Sequence, residues 1–141
     1  MILRGWTEEF FIMVDRPKKI VIVDDDPETA EMFSEMVRLE GYAVIKSYGG
    51  ESAITLIRQE QPDAVILDMM MPDVSGLEVL EFIRNHPSLV SIPVIAVSAK
   101  GIPIDVQAGL DAGANVYLVK PVTYQELRQA MKQVIQEEEG G

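Results

Sequence analysis

The sequence predicts an α/β fold in which a five-stranded parallel sheet is covered by helices on both faces. Short apolar runs recur five times, and the first is rich in β-branched residues, as expected for a strand that is buried on both faces. Segments with a helical spacing of apolar residues separate these runs. Regular alternation of strand and helix is typical of parallel sheets with right-handed crossovers.

The first strand–helix unit has clear boundaries in the sequence. Residues 20–23 form the first β-branched run, Ile-Val-Ile-Val. Asp26 followed by Pro27 is typical of a helix N-cap and a first-turn proline, and Gly41 is a suitable stop. We therefore predict a strand over 20–23 and a helix over 27–40.

The second and third units follow the same pattern. The second has a short strand over 43–45 and a helix over 51–60 with isoleucines on one face. The third has a strand over 64–67 that ends at Asp68. Ser75, with a glutamate three residues later, forms a capping box that opens the third helix.

The fourth and fifth units complete the predicted sheet. A strand over 94–97 ends at Ser98 and precedes a weaker helix over 103–112. The fifth strand covers 116–119. Thr123, again with a glutamate three residues later, opens an amphipathic fifth helix.

The length of 141 residues favours a single domain. We predict an N-terminal extension over 1–18, the α/β domain over 19–136 and a frayed acidic tail over 137–141. The partly apolar extension either packs on the domain, forms a loosely ordered arm or binds a partner. We expect no effector segment after the fifth helix, so that output would come through protein contact.

Charge and composition exclude several function classes. The net charge of −11 repels phosphate backbones and anionic lipid, so we expect no direct nucleic-acid partner and no membrane partner. No segment approaches the roughly 20 apolar residues of a membrane span, and a cytoplasmic location is predicted. The absence of cysteine excludes thiolate metal sites and cysteine nucleophiles.

The residues at the predicted strand ends define a candidate site, because ligands bind beyond the carboxyl ends of parallel strands. These residues are Asp24, Asp25, Asp26, Asp68, Ser98 and Lys120. Clustered carboxylates repel one another, and a divalent cation such as Mg²⁺ removes that repulsion. An ammonium and a hydroxyl suit the binding of a phosphoryl group, and one carboxylate could act as a nucleophile.

Taken together, these motifs resemble the receiver domain of two-component response regulators. The resemblance covers about residues 19–135, with Gly76 closing the loop after the third strand. Its segments are IVIVDDDP at 20–27, VILDMMMP at 65–72, AVSA at 96–99 and YLVKP at 117–121. It implies a flavodoxin-like strand order 2-1-3-4-5 and a stand-alone protein similar to chemotaxis regulators.

The resemblance also implies roles for the acidic residues. Asp68 would be the phosphoacceptor. Asp25 and Asp68 would bind Mg²⁺ directly, Met70 through its backbone carbonyl and Asp24 through a water. Asp26 is explained as a helix cap and Asp73 as a turn residue, rather than as ligands.

Further roles implied by the resemblance concern the switch. Ser98 would be the switch hydroxyl that moves to the phosphoryl group, Lys120 the ion-pair partner of that group and Tyr117 the switch aromatic. Met70 and Lys100 would tune the lifetime of the phosphoryl group. The bond between Lys120 and Pro121 is usually cis in this family.

The function implied is a phosphoacceptor switch in a two-component phosphorelay. A histidine kinase or phosphotransfer protein would donate the phosphoryl group to Asp68. The face of the fourth helix, fifth strand and fifth helix would then change and contact a downstream protein, with a homodimer through that face as a further alternative. The domain would not be an enzyme, since it catalyses only its own phosphorylation and dephosphorylation.

Two alternatives come from other classes. A phosphohydrolase of the haloacid-dehalogenase type also uses two aspartates spaced like Asp24 and Asp26. However, Pro27 follows where that pattern requires a small flexible residue, and Asp68 is left unexplained. The second alternative is a receiver-like interaction module that does not depend on phosphorylation.

Overall fold

The computed structural model of the protein describes residues 17–135. The predicted extension, apart from its last two residues, and the predicted acidic tail lie outside the described residues. The boundaries drawn at residues 18 and 136 therefore remain predictions.

Strands and helices alternate along the described residues, as predicted. The elements are β1 (Lys19–Val23), α1 (Pro27–Leu39), β2 (Ala43–Ser47), α2 (Gly50–Glu60), β3 (Ala64–Asp68), α3 (Gly76–Asn85), β4 (Val94–Ser98), α4 (Pro103–Asp111), β5 (Val116–Val119) and α5 (Tyr124–Val134). The observed bounds differ from the predicted ones by at most two residues. Asp68 and Ser98 are the last residues of their strands, as predicted.

The five strands form one parallel sheet in the order β2-β1-β3-β4-β5. This order confirms the predicted fold class and topology. Strand β1 pairs with both β2 and β3. The strands after β2 are therefore added on the other side of β1, and the strand order reverses at this point. The carboxyl ends of β1, β3 and β4 consequently lie side by side.

Alternate side chains of the central strands enter two separate cores. Ile20 and Ile22 pack with α1 and α5, whereas Val21 and Val23 pack with α2 and α3. Each fully buried side chain of this size stabilises the fold by about 1.5–3 kcal/mol. The rigid sheet therefore fixes the positions of the residues at its carboxyl edge.

Helices cover the sheet on both faces, as predicted, but the five strands are not equally buried. Strands β1, β3 and β4 are almost wholly buried, but β2 and β5 are mostly half-buried. Each outer strand has a single neighbour in the sheet, so one of its edges remains uncovered.

The helix caps that were predicted are present. The side chains of Asp26, Ser75 and Thr123 each accept a hydrogen bond from a first-turn amide, and the last two complete capping boxes. In contrast, α4 has no side-chain cap, and Gly109 is its one buried residue. Within residues 17–135, no helix combines the length and apolar character needed to cross a membrane.

Candidate functional site

Three nearly inaccessible polar residues lie at the carboxyl ends of the central strands β1, β3 and β4. Asp68 ends β3 and Ser98 ends β4, and Asp24 directly follows β1. Their exposed fractions are 3 %, 1 % and 1 %, respectively. Because Val23 pairs with Leu67, Asp24 and Asp68 follow at the same level on neighbouring strands.

The carboxylates of Asp24, Asp25 and Asp68 form one cluster. Each offers an oxygen atom, and these atoms all lie within 4.8 Å of one another. Asp24 Oδ1 accepts the backbone N–H of Asp26 at 2.9 Å, and Asp68 Oδ1 accepts that of Met70 at 3.1 Å. Backbone donors therefore orient both buried carboxylates, while Asp25 is exposed.

Lys120 supplies positive charge to this cluster. Its Nζ lies 3.1 Å from Asp24 Oδ2 and 3.7 Å from Asp68 Oδ2. One ammonium thus faces two buried carboxylates, with the third carboxylate beside them. The cluster carries more negative than positive charge.

This imbalance is reflected in the pKa of Asp68. Burial, followed by the nearby Asp24 charge, raises the pKa of this carboxyl group to about 6. The Met70 N–H and Lys120 act in the opposite direction. Carboxylate oxygens that converge with excess negative charge fit a hard divalent cation, so the donor set present suits Mg²⁺.

Ser98 and Tyr117 both contact the backbone of Lys100. Ser98 Oγ accepts the Lys100 N–H at 3.1 Å, and the Tyr117 hydroxyl donates to the Lys100 carbonyl at 2.8 Å. The β4–α4 loop is therefore held through both the N–H and the carbonyl group of Lys100. The side chains of Lys100 and Met70 are exposed beside the site. The peptide bond between Lys120 and Pro121 is cis, as the resemblance implied.

Two residues next to the site were missed or underrated by the sequence analysis. Ser47, at the end of β2, was not among the predicted site residues, yet its buried hydroxyl contacts Ser52 Oγ at 2.7 Å, and the Ser47 carbonyl accepts the Asp24 N–H. Asp73, interpreted as a turn residue, accepts hydrogen bonds from the first amides of α2. The sequence held one signal for the role of Asp73: the N-cap residue of α2 is a glycine, which has no side chain to cap its own helix.

The geometry agrees with comparisons to known proteins. The sequence model of one protein family, the response regulator receiver domain, matches residues 20–132. The chain belongs to this family. It is 42 % identical over 113 residues to the "Probable transcriptional regulatory protein TcrX" of Mycobacterium tuberculosis, an alignment that covers 79 % of this chain and 47 % of that protein.

A second relative and a solved structure extend the comparison. The "DNA-binding response regulator MtrA" of Mycolicibacterium smegmatis is 36 % identical over 110 residues, or 78 % of this chain and 47 % of that protein. The chain thus spans about half the length of these two relatives. The receiver domain of a sensor histidine kinase from Pseudomonas aeruginosa is 28 % identical with a TM-score of 0.78, covering 84 % of this chain and 98 % of that one. That structure has a magnesium ion coordinated in its active-site cleft.

The comparison corrects one prediction about partners. Net charge led to the expectation that nucleic acid is excluded, but a relative that contains a matching region is named as DNA-binding. Charge repels phosphates only from the surface that carries it, and a separate unit of a longer protein can bind DNA. The exclusion of nucleic acid from the partners is therefore wrong.

Proposed function

We propose that this receiver domain is a signalling switch in which Asp68 accepts a phosphoryl group from a phosphohistidine. The observation that supports this most directly is the position of Asp68. Its buried carboxylate lies at a strand end, 3.7 Å from the Lys120 ammonium, and its oxygens belong to a cluster of aspartate carboxylates. A histidine kinase or phosphotransfer protein supplies the donor.

The chemical step is a transfer between two protein side chains. A carboxylate oxygen of Asp68 attacks the phosphorus, a P–O bond forms and the P–N bond of the donor breaks. The imidazole nitrogen keeps the electron pair of that bond and takes up a proton. Water later attacks the acyl phosphate and releases inorganic phosphate, and the Asp68 carboxylate is restored.

Oxygen ligands for the metal come from Asp25, Asp68 and the Met70 carbonyl, with Asp24 acting through a water. Bound Mg²⁺ supplies positive charge that offsets the charge of the carboxylates and phosphoryl oxygens. Lys120 binds a further phosphoryl oxygen through its ammonium. Met70 and Lys100, exposed at the rim, adjust the access of water and hence the lifetime of the phosphoryl group.

Phosphorylation then changes the β4–α4 loop. Ser98 Oγ turns to donate to the phosphoryl group and no longer accepts the Lys100 N–H. Tyr117 follows because its hydroxyl is bound to the same loop. This is a local change in charge that biases an element with two arrangements.

The output surface is formed by α4, β5 and α5. It carries exposed apolar side chains, including Ile104 at 74 % and Val119 at 39 % exposure. Helix α4 buries one residue and is therefore the helix that moves at least cost. The names of the two mycobacterial relatives favour control of transcription as the eventual output.

The geometry favours this function over the phosphohydrolase alternative. Both oxygens of Asp26 are engaged in the first turn of α1, since they accept the Glu28 N–H and the Thr29 hydroxyl. Asp26 is therefore not positioned as the second acid of a hydrolase. Asp68, which that alternative leaves unexplained, is buried and faces the lysine.

The test is the intact mass of the protein after incubation with a small acyl phosphate and Mg²⁺. We expect wild type to gain one phosphoryl group that requires Mg²⁺ and is removed by hydroxylamine. Asp68→Asn should gain none. An adduct on both proteins would move the acceptor to another residue, and no adduct, even with a phosphohistidine donor, would favour the interaction module that is independent of phosphorylation.

A further inference from the structure

The first turn of α2 is not capped by the side chain of its own N-cap residue. Its N-cap residue is Gly49, which has no side chain, and no side-chain hydrogen bond from that position reaches the helix. Unpaired first-turn amides cost stability unless another group accepts their hydrogen bonds. The group that does so here is Asp73, from the loop between β3 and α3.

Asp73 lies 23 residues after Gly50, the first residue of the helix that it caps. Its Oδ1 accepts the Gly50 N–H at 3.3 Å, and its Oδ2 accepts the Glu51 N–H at 3.4 Å. The pKa of Asp73 lies below its ordinary value because the N–H groups of Val74 and Gly50 hold the carboxylate. The ionised side chain therefore joins the β3–α3 loop to the amino terminus of α2.

Backbone packing at the same point is unusually close. A Cβ atom at Gly50 would lie 2.6 Å from the carbonyl oxygen of Val74, so a residue with a side chain does not fit there. The absence of a side chain lets the loop rest directly on the helix. Asp73 and Gly50 thus form one contact between α2 and the loop.

This loop also carries Met70, three residues before Asp73. Asp68 and Met70 are linked by the hydrogen bond from the Met70 N–H, and the far end of the loop is closed by the Gly76 N–H on the Met69 carbonyl at 3.3 Å. These bonds fix the two ends of the loop. Asp73 fixes its middle.

The first turn of α2 also supports the other acidic strand end. Ser52 Oγ contacts Ser47 Oγ, and the Ser47 carbonyl accepts the Asp24 N–H at 3.0 Å. The amino terminus of α2 therefore contacts the β3–α3 loop, which follows Asp68, directly and is linked to Asp24 through Ser47. A shift of the loop on α2 would change the spacing of the metal-binding oxygens.

We infer that Asp73 is a positioning residue for Mg²⁺ binding, which holds the β3–α3 loop on α2 and thereby places the Met70 carbonyl beside Asp68. The inference rests on the proposed function of the site. Groups that orient a metal ligand without touching the metal commonly change its affinity by about tenfold or more.

The experiment measures Mg²⁺ binding by calorimetry in wild type, Asp73→Ala, Asp73→Asn and Thr123→Ala. Thr123→Ala is the matched control, since it removes the cap of α5 without touching the loop. We expect Asp73→Ala to bind Mg²⁺ about tenfold more weakly. Asp73→Asn, which keeps one acceptor oxygen, should be intermediate, and Thr123→Ala should match wild type.

Two further readouts separate positioning from loss of stability. In Asp73→Ala the amides of Gly50 and Glu51 should exchange with solvent faster than in wild type. The Mg²⁺ concentration that half-saturates phosphorylation by a small acyl phosphate should rise, while the rate at saturating Mg²⁺ stays unchanged. If Asp73→Ala does not fold, Asp73→Asn provides the same comparisons.

Wild-type affinity in a folded Asp73 variant would overturn the inference, and so would equal weakening in Thr123→Ala. Wild type that binds no Mg²⁺ would overturn it as well. The proposed function fails separately, when wild type binds Mg²⁺ but gains no phosphoryl group. In that case calorimetry still decides whether Asp73 positions the metal ligands.

Discussion

The hydroxyl of Tyr117 donates a hydrogen bond of 2.8 Å to the carbonyl oxygen of Lys100. This hydrogen bond joins β5 to the β4–α4 loop. The loop begins directly after Ser98, the last residue of the neighbouring strand β4. The Lys100 N–H is meanwhile bound to Ser98 Oγ. A single peptide segment therefore connects the buried hydroxyl of the site with an aromatic ring on the outer strand.

Removing the hydroxyl in Tyr117→Phe should loosen this loop. We expect a loss of about 0.5–1.5 kcal/mol in the free energy of unfolding, because a net hydrogen bond disappears. Amides of residues 99–102 should exchange faster, while the rate of phosphorylation changes little. Urea unfolding and hydrogen exchange provide the measurements, with Tyr48→Phe as the control at an exposed tyrosine. Unchanged exchange in the loop would contradict this role.

Replacing the buried glycine of α4 should displace the same ring. A Cβ atom at Gly109 would lie 2.7 and 2.8 Å from two carbons of the Tyr117 ring. Glycine to alanine in a helix ordinarily adds up to about 1 kcal/mol of stability, but here the contact should cancel or reverse that gain. The control is Gly109→Ala in a Tyr117→Ala background, where the alanine should stabilise. Equal effects in both backgrounds, measured by urea unfolding, would disprove the clash.

Stability should depend on pH through Glu40 and Tyr124. The Tyr124 hydroxyl donates to the Glu40 carboxylate, which lowers the pKa of Glu40 and raises that of Tyr124. The glutamate contribution is present above its ordinary pKa of 4.5 and is lost as the pH falls through its lower folded value. The tyrosine contribution is present below pH 10.0 and is lost as the pH rises through its higher folded value.

The measurement is the free energy of unfolding of wild type and Tyr124→Phe from acid to alkaline pH. Their difference should be largest between the two ordinary pKa values and should shrink towards both ends. Glu40→Gln should show a smaller acid dependence than wild type. A difference that stays constant across the range would exclude this hydrogen bond as the cause.

Removing the ammonium of Lys120 should make folding depend more on Mg²⁺. In Lys120→Met the carboxylates of Asp24 and Asp68 lose their nearby positive charge, so the metal-free protein should unfold at a lower temperature than wild type. Added Mg²⁺ should raise this temperature by more than it does in wild type. Thermal unfolding with and without Mg²⁺ tests this. Lys46→Met, which removes an ion pair with Glu31 on the surface, should respond to Mg²⁺ like wild type.

The sequence was most informative where local chemistry decides the structure. The apolar runs located the strands, and the caps at Asp26, Ser75 and Thr123 located helix starts, because their partners lie within three residues. It was also enough to bring the acidic strand ends together, since parallel strands share one carboxyl edge. The strand order and the roles of individual site residues came from the resemblance to the family.

Contacts between distant segments could not be read in this way. Asp73 was assigned to a turn because its nearest neighbours in sequence favour one. Its partners on α2 are 22 and 23 residues away, and they meet only after the loop has packed on the helix. Ser47 was overlooked for the same reason, because its bond with Asp24 arises from the pairing of β1 and β2.

The strand order also has a consequence for the growing polypeptide. Synthesis from the amino terminus completes Asp24, Asp68 and Ser98 well before Lys120, which follows the outermost strand β5. A nascent chain that stops before β5 therefore contains all the acidic groups of the site without their lysine. Domains fold as units, so the last strand to leave the ribosome both closes the sheet and neutralises charge at its edge.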